Sequence, residues 1–308
     1  MEFIRGLHNI RDRHRVCVAT IGNFDGVHLG HQAVIRQLHE VAAECMLPAT
    51  VLVFEPQPQE FLAPARAPAR LMRLRDKIEW LARHNVDHVL CLRFDRTLAG
   101  WSAQQFVDQV LSGGLAVQHL IVGDDFRFGK NREGNYSILR EYADRYGFKV
   151  DHTRTCEHQG RRISSTWVRE ALHNGDMSLA ASLLGRPYAI NGRVIHGDKR
   201  GRELGYPTIN LDLHRTRSPV QGIFVSRVHG LGAGARPAVT SIGNRPMFGG
   251  TKILLESYLL DYSGDAYGAY VSVELLQRLR GEEKFTSTRD LQNQIECDIT
   301  EARKFFNY

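Results

Sequence analysis

The stretch ATIGNFDGVHLGH, from Ala19 to His31, decides the fold of the N-terminal half. It begins within a short apolar run, passes a turn marked by Gly22 and Gly26, and reaches two histidines three residues apart, His28 and His31. Glycine permits a tight turn and a close approach of the backbone to a ligand, and a helix that starts there directs its unpaired N–H groups at the turn. The pattern therefore predicts a strand, a turn that binds an anion, and a helix.

Around this stretch, short apolar runs alternate with segments of helical period. The runs VCVATIG, ATVLVFE, DHVLCLRF and VQHLIVG predict buried strands, and the segments His31 to Glu44, Arg73 to His84, Ser102 to Leu111 and Asn135 to Tyr146 predict helices. This alternation is typical of a parallel, doubly wound α/β sheet, which binds ligands at the carboxyl ends of its strands.

The character of the sequence changes after Asn174. A short helix and a Gly-Arg-Pro break are followed by closely spaced strand-like runs, among them YAINGRVI, GIFVSRVHG and KILLESYLLDY. Strands at this spacing, without helices between them, predict a small antiparallel barrel, closed by a C-terminal helix over about Thr288 to Phe306. We therefore predict two domains, residues 1–184 and residues 185–308.

Composition excludes several classes of protein. The 308 residues are 43% apolar, enough to bury the cores of two domains. No apolar run reaches the roughly 18 residues that a membrane span needs, and the N-terminus is charged where a signal peptide would be apolar. The five scattered cysteines form no CxxC pair, so we expect neither a disulfide framework nor a zinc cluster, and we expect a cytoplasmic protein. The net charge of +6 fits a mixed solvated surface or a site for polyphosphates.

Two clusters in the N-terminal half predict phosphate chemistry. His28 and His31 can donate to phosphate oxygens and stabilise the charge that grows on them, although zinc ligation and a purely structural role are alternatives. The segment GRRISSTWVREAL places Ser165 and Thr166 before a helical run, with Arg169 following. Like the two histidines, these residues can bind phosphate at the start of a helix, here through hydroxyls and a cation. An ordinary helix cap with a solvated arginine is the alternative.

A second pair of signals lies in the C-terminal half. The stretch GRVIHGDKRGRELGYPTINL contains a glycine-rich basic loop suited to covering phosphates. Thr208 and Asn210 follow it, two residues apart on one strand, so their oxygen atoms share a face and could bind Mg²⁺. A glycine-rich hairpin is the alternative. Glu256 interrupts an apolar strand, where an acid is either functional or turned to solvent.

These motifs resemble a known family. GNFDGVHLGH and ISSTWVR resemble the phosphate-binding signatures of the HxGH nucleotidyltransferases, and FEPQP, ARLMRLRDKIEWL and VGDDFRFGKNREGN resemble one branch, the bacterial bifunctional riboflavin kinase/FMN adenylyltransferases. The C-terminal motifs resemble the riboflavin kinase module of that branch. The resemblance implies a Rossmann-like nucleotidyltransferase domain followed by a small antiparallel β-barrel kinase domain. It also implies an enzyme that phosphorylates riboflavin with ATP to FMN and adenylylates FMN with ATP to FAD and pyrophosphate.

The resemblance also implies roles for individual residues. For adenylyl transfer, the ATP-binding residues would be Gly22, Phe24, Asp25, His28, His31, Ser165, Thr166 and Arg169, with the two histidines catalytic. The flavin and nucleotide pocket of that site would contain Asp125, Phe126 and Phe128. For the kinase, the ATP-binding residues would be Gly197, Gly201, Arg202, Gly205, Thr208 and Asn210. Thr208 and Asn210 would also bind Mg²⁺, Glu256 would be the base that accepts the riboflavin hydroxyl proton, and Arg280 would lie near the flavin.

We expect ATP, riboflavin and FMN as ligands and Mg²⁺ as the metal, and neither nucleic acid nor membrane as a partner; the sequence leaves the oligomeric state open. One alternative is a class I aminoacyl-tRNA synthetase, but ISST stands where such enzymes carry a lysine-rich loop. Another is a non-catalytic flavin-binding protein on the same folds. Such a protein would be expected to lack His28, His31 or Glu256, and all three are present.

Overall fold

Two compact units make up the chain. A computed structural model describes residues 1–197, 201, 204–213, 217–247 and 250–307. One unit consists of Met1–Pro68 with Met72–Ser164, and the other of Ala69–Leu71 with Ser165–Tyr308. The first contains an open parallel sheet and the second a closed barrel.

Six parallel strands form the sheet of the first unit. They are β1 (Glu2–Arg5), β2 (Val18–Ile21), β3 (Ala49–Glu55), β4 (His88–Arg93), β5 (His119–Val122) and β6 (Lys149–His152). Their order across the sheet is β1-β4-β3-β2-β5-β6, and each neighbouring pair is parallel. A separate hairpin joins β7 (Glu157–His158) and β8 (Arg161–Arg162).

Helices cover both faces of this sheet. They are α1 (Leu29–Cys45), α2 (Pro58–Leu62), α3 (Leu74–Arg83), α4 (Arg96–Gly100), α5 (Ala103–Phe106) and α6 (Tyr136–Tyr146), with α5 continuing as a π-helical turn to Ser112. Apolar residues of α1 and α3 pack on Val51 and Val53, whereas those of α5 and α6 pack on the opposite face with Leu52. The predicted doubly wound α/β arrangement is confirmed.

The second unit begins with two helices, α7 (Ser165–Asn174) and α8 (Met177–Leu184). The side chain of Asp176 caps α8 by accepting a hydrogen bond from the backbone N–H of Leu179 at 2.8 Å. Gly185 ends the helix in the left-handed conformation that glycine adopts without strain. Helix α8 contacts the barrel strands β9 (Tyr188–Ile195) and β14 (Tyr270–Arg280).

The antiparallel barrel closes through pairing of its first two strands. Besides β9 and β14 it contains β10 (Thr208–Asp212), β11 (Gly222–His229), β12 (Arg236–Met247) and β13 (Gly250–Leu259), in the order β10-β13-β12-β11-β14-β9. The closing contact pairs β9 with β10. Ser226, Thr240 and Ser257 form a fully buried ladder of hydroxyls across β11, β12 and β13, with oxygen–oxygen distances of 2.5 and 2.7 Å.

One long helix, α9 (Thr288–Phe306), follows the barrel as predicted. Ser287 caps it by accepting a hydrogen bond from the N–H of Asp290 at 3.1 Å. Its apolar side packs on β11 and β12, where Ala302 joins a cluster with Val225 and Leu260. Within the part of the chain that the structure describes, no helix combines the length and the apolar character needed to span a membrane.

Candidate functional sites

The loop after β2 has an unusual backbone. Phe24, Gly26 and Val27 have φ angles of 47°, 88° and 39°, all in the left-handed region. That conformation costs a non-glycine residue about 1–3 kcal/mol, and a β-branched valine adopts it rarely. The side chains of Phe24 and Val27 lie in the apolar core, so core packing holds the loop in this shape.

The two predicted histidines lie together at the start of α1. His28 is the N-cap, and its Nδ1 accepts a hydrogen bond from the backbone N–H of His31 at 3.3 Å. The His28 ring is therefore deprotonated at Nδ1 and carries its proton on Nε2. The two rings stack with centroids 3.7 Å apart. A Cβ atom on Gly30 would lie 3.0 Å from His28 Nδ1 and from the carbonyl oxygen of Ile163, so a larger residue would displace the His28 ring or the Ile163 backbone.

Asp25 and Gly22 each constrain the conformation of this loop. The Asp25 side chain is buried, with 1% of its surface exposed, and its Oδ1 accepts a hydrogen bond from the N–H of Met72 at 3.2 Å. A Cβ atom on Gly22 would lie 3.1 Å from the ring of Phe24. Both residues thus set the path of the loop that leads to His28.

Asp125, Phe126 and Phe128 follow the carboxyl end of β5. The two phenylalanine rings stack with centroids 5.4 Å apart, and Phe128 is buried in the core. The Asp125 side chain is largely exposed and lies 3.9 Å from the guanidinium of Arg162. These three residues thus follow a strand at the sheet edge where α/β folds bind ligands.

Ser165, Thr166 and Arg169 lie in the second unit, whereas His28 and His31 lie in the first. Ser165 is the first residue of α7, a helix of 10 residues. Arg169 lies one turn further along, and its Nε donates to the carbonyl oxygen of Ala69 at 2.6 Å. The hydroxyls and the guanidinium are therefore grouped at the N-terminal end of α7, where the helix dipole favours anions.

In the barrel, the strand register brings three predicted kinase residues together. Asn210 lies directly opposite Glu256 on β13, and Thr208 lies opposite Tyr258. Directly opposed residues of antiparallel strands have their side chains on the same face, and residues two apart on one strand share a face. Thr208, Asn210 and Glu256 therefore lie on one face, opposite to the one that carries the buried side chains of Leu255 and Ser257.

The Asn210 side chain is only 5% exposed, and its Oδ1 has no hydrogen-bond partner among the residues that the structure describes. Its Nδ2 donates to the carbonyl oxygen of Thr208 at 3.2 Å, which fixes the orientation of the amide. A buried amide oxygen without a partner is costly, and a hard cation would satisfy it. A Cβ atom on Gly197 would lie 2.6 Å from this amide, so the glycine allows the backbone to pass closely.

The other glycines of the predicted phosphate loop have separate constraints. The carbonyl oxygen of Gly201 accepts a hydrogen bond from the N–H of Tyr206 at 2.7 Å, and a Cβ atom there would lie 2.5 Å from the Tyr206 carbonyl oxygen. Gly205 has a φ of 91°, which favours glycine. Arg202, also predicted to bind ATP, lies outside the described residues.

A cavity of about 370 Å³ adjoins Thr208. Its other walls come from Val194, Pro207, Ile209, Leu259 and the segment 262–267 after β13, with Tyr262 and Tyr267. Nothing in the sequence indicated this segment, because its tyrosines have no motif spacing and are typical of an ordinary turn. The cavity places a partly apolar recess beside the predicted metal ligands.

Arg280, predicted near the flavin, is held by an acid on α9. Its Nε and Nη2 atoms donate to the Asp298 carboxylate at 2.8–3.2 Å, and both side chains are largely buried. Gln294 donates to the same carboxylate at 3.1 Å. Sequence reasoning missed Asp298, although an acid on the apolar side of an amphipathic helix was a usable signal.

Helix α9 also holds the segment before Thr208. The Tyr206 hydroxyl donates to Glu296 at 3.0 Å, and Gln292 donates to the carbonyl oxygen of Leu204 at 3.5 Å. Burial, followed by the hydrogen bond to Glu296, raises the pKa of Tyr206 above its usual value. The tyrosine thus remains a neutral donor to Glu296.

Comparisons with known proteins match the two parts of the chain to two family models. A family model for FAD synthetase matches residues 10–167, and one for riboflavin kinase matches residues 184–306. The chain is 48% identical to the bifunctional riboflavin kinase/FMN adenylyltransferase of Escherichia coli K12, covering 99% of this chain and 98% of that protein. It is 48% identical to the corresponding protein of Haemophilus influenzae, over the full length of both, and 47% identical to that of Pseudomonas fluorescens, over 98% and 97%.

The fold also has a solved counterpart. The crystal structure of a macrolide-efflux protein from Streptococcus pneumoniae superposes with a TM-score of 0.82 at 29% sequence identity, covering 98% of this chain and 99% of that one. The similarity spans both the parallel sheet and the barrel.

Proposed function

This chain belongs to the bifunctional riboflavin kinase/FMN adenylyltransferase family, and from that premise we propose how its residues divide the two reactions between two sites. The protein phosphorylates riboflavin with ATP to FMN, and it adenylylates FMN with ATP to FAD. We assign adenylyl transfer to the loop and helix that carry His28 and His31. We assign phosphorylation to the barrel face that carries Asn210 and Glu256.

Adenylyl transfer joins a phosphate oxygen of FMN to the α-phosphorus of ATP and releases pyrophosphate, so negative charge grows on phosphate oxygens. His28, protonated at Nε2, and the stacked ring of His31 are the donors that stabilise this charge. The N–H groups at the start of α1 add a partial positive charge. Alignment of the two substrates is sufficient for the transfer, without a covalent intermediate on the enzyme.

Ser165, Thr166 and Arg169 bind the pyrophosphate that leaves. Two hydroxyls at the start of α7 supply hydrogen-bond donors, and the guanidinium supplies a charge matched to a phosphate. Phe126 and Phe128 provide the aromatic wall for the flavin ring, and Asp125 accepts hydrogen bonds at the edge of that pocket.

Phosphorylation of riboflavin requires a base for the hydroxyl and ligands for ATP and its metal. Glu256 accepts the proton of the attacking hydroxyl, and Asn210 beside it and Thr208 on the same face would hold Mg²⁺. When bound, Mg²⁺ neutralises charge on the phosphates of ATP. The buried Oδ1 of Asn210, which has no hydrogen-bond partner among the described residues, is the observation that carries this assignment.

We assign the remaining predicted kinase residues to ATP and flavin binding. Gly197, Gly201 and Gly205, with Arg202 by resemblance, cover the phosphates of ATP. The cavity beside Thr208 accommodates the nucleoside, since its volume and aromatic walls suit a base and ribose. Arg280, oriented by Asp298, contacts the flavin under this assignment.

Two substitutions in the full chain test the division. We expect His31→Ala to lower FAD formation from FMN and ATP by about 10- to 1000-fold and to leave riboflavin phosphorylation unchanged. We expect Glu256→Gln to lower phosphorylation by about 10²- to 10⁴-fold and to leave FAD formation from supplied FMN unchanged. Chromatography of riboflavin, FMN and FAD measures both activities in one preparation.

Matched controls come from the same elements. His39→Ala changes another half-buried histidine of α1, whose Nε2 lies 2.8 Å from the carbonyl oxygen of His84. Glu274→Gln changes another barrel glutamate, which pairs with His229 at 3.1 Å. Both controls should keep both activities. Parallel loss of the two activities in either test variant, with the fold intact by circular dichroism, would contradict the proposed division.

A further inference from the structure

The tripeptide Ala69–Leu71 belongs to the second compact unit, although the residues on both sides of it in the chain belong to the first. Two side chains of the second unit hold it. Arg169 on α7 donates from Nε to the carbonyl oxygen of Ala69 at 2.6 Å, and Tyr188 on β9 donates from its hydroxyl to the carbonyl oxygen of Leu71 at 3.0 Å. The tripeptide therefore connects a helix residue with a barrel residue.

The two hydrogen bonds differ in their surroundings. Tyr188 is 4% exposed and Leu71 is 1% exposed, so this hydroxyl–carbonyl bond is shielded from water. Arg169 is half-buried. A hydrogen bond that is shielded from water fixes the peptide firmly, because the low local dielectric strengthens it. The Leu71 end of the tripeptide is thus the fixed end, and Ala69 lies only two residues from it.

The Ala69 carbonyl in turn orients the guanidinium of Arg169. A guanidinium is planar, with its five N–H donors in a fixed arrangement. A hydrogen bond at Nε therefore sets the plane of the group and the direction of its two terminal nitrogens. Positioning at this level matters for transfer reactions, since a displacement of about 1 Å can cost about 10²-fold in rate.

We propose that Tyr188, the first residue of the first barrel strand, is a positioning residue for adenylyl transfer. Its hydroxyl fixes the tripeptide Ala69–Leu71, and the Ala69 carbonyl orients Arg169 toward the departing pyrophosphate. The inference rests on the role given to Arg169 under the proposed function. Tyr188 lies in the part of the chain that matches the riboflavin kinase model, so a residue of one module serves the reaction of the other.

Tyr188→Phe tests the proposal in the full chain, because it removes the hydroxyl and keeps the ring. We expect kcat/KM for ATP in FAD formation to fall about three- to tenfold, the effect of one lost hydrogen bond. Riboflavin phosphorylation should stay at the parental rate. A purely structural role of the hydroxyl would instead lower both activities together with the melting temperature.

A double-variant cycle separates the route through Arg169 from other effects. Arg169→Lys keeps the positive charge but loses the planar Nε donor, so it should lower FAD formation by itself. In that background, Tyr188→Phe should cause no further loss, since the group that it orients is already gone. Ser226→Ala is the matched control: it also removes a buried hydroxyl–carbonyl hydrogen bond, 3.1 Å to Ala238, in the same unit. It should leave FAD formation unchanged.

The outcomes separate this inference from the assignment on which it rests. Normal FAD formation by Tyr188→Phe, with Arg169→Lys impaired, overturns the role of Tyr188 alone. So does an equal effect of Tyr188→Phe in the parent and in Arg169→Lys. Parental FAD formation by Arg169→Lys overturns the role of Arg169, and the role of Tyr188 with it.

Discussion

Asn210 and Glu256, the two residues that we assign to the kinase site, need different chemical properties for their proposed roles. Under the proposed function, the carboxylate of Glu256 would accept a proton, whereas the amide of Asn210 would offer a neutral oxygen to a cation. Their direct opposition across β10 and β13 brings these functions to one place on the barrel. With these roles, a neutral ligand beside the base would keep the local negative charge low enough for ATP to approach.

Asn210→Asp tests the value of that neutrality. We expect half-maximal kinase activity at a lower Mg²⁺ concentration, because a carboxylate holds the cation more tightly, and a several-fold higher KM for ATP, because it repels the phosphates. A magnesium titration of the kinase rate measures both effects. Asn293→Asp, which adds the same charge on the exposed face of α9, is the control and should behave as the parent. An unchanged titration of Asn210→Asp would remove Asn210 as a metal ligand.

The sequence alone indicated candidate residues for the two sites, but it did not indicate which of them lie opposite each other. Motif spacing alone indicated His28, His31, Thr208 and Asn210, because each pair lies within three residues. The opposition of Asn210 and Glu256 depends on strand register, which residues distant in the chain determine together. The same limit hid Asp298, whose partner Arg280 lies on another element.

At the scale of elements, the four central strands of the sheet were predicted and its two edge strands were missed. Strands β2 and β5 are fully buried, so they appear as apolar runs. Strands β1 and β6, with sequences EFIR and KVDH, lie at the edges and are partly exposed. Their charged residues suit an edge that must not pair with another chain, and the same charges conceal the strands from a search for apolar runs.

His88, on the strand β4 that pairs with the edge strand β1, should make the stability of the protein depend on pH. Burial, followed by the charge of nearby His14, lowers the pKa of His88, at the start of β4, below its usual value of 6.5, against the opposite effects of Asp87 and Glu2. The unfolded chain therefore binds a proton at His88 more readily than the folded one. The stability from the neutral imidazole is complete above pH 6.5 and is lost as the pH falls below it.

We therefore expect that lowering the pH from about 7.5 to about 5.5 reduces the free energy of unfolding less in His88→Asn than in the parent. Denaturant unfolding at the two pH values measures the difference. Glu2 does not contribute between these pH values. Its hydrogen bond with Arg13 lowers its pKa in the folded protein to about 2, and the usual carboxyl pKa of the unfolded chain also lies below this range. The Glu2 carboxylate is therefore ionised in both the folded and the unfolded protein. Equal losses in the variant and the parent would exclude His88 as the source.

Helix α9 depends on a buried ion pair. Asp298→Asn leaves the charge of Arg280 with a weaker partner in a site where the two side chains are 6% and 15% exposed. We expect a loss of about 3–5 kcal/mol in the free energy of unfolding, the range for breaking a buried pair, together with weaker riboflavin binding. Asp261→Asn is the matched control, since its Arg303 pair is exposed and should contribute about 1 kcal/mol or less. A similar loss in both variants would contradict the role of burial.

At the scale of the whole molecule, the predicted boundary near residue 185 can be tested with two fragments. One begins at Ser165 and the other at Arg186, and both end at Tyr308. Both retain Asn210 and Glu256 and should phosphorylate riboflavin. Neither should make FAD, because both lack His28 and His31.

The two fragments should differ in stability. The longer one keeps α8, which covers parts of β9 and β14, and the shorter one exposes the apolar surface beneath it. We expect the shorter fragment to melt several degrees lower, as the loss of buried apolar area implies. Formation of FAD from FMN by either fragment would overturn the assignment of the two reactions to separate sites.

The tripeptide Ala69–Leu71 has a consequence for synthesis of the chain on the ribosome. Leu71 and the Tyr188 that holds it are 117 residues apart, a delay of roughly 6 to 23 s at a synthesis rate of 5–20 residues per second. During that interval the buried surface of Leu71 has no partner from the barrel. The hydrogen bond from Tyr188 to Leu71 therefore forms only after the start of the barrel has been synthesised, and Arg169 acquires its final orientation only after translation of the kinase module has begun.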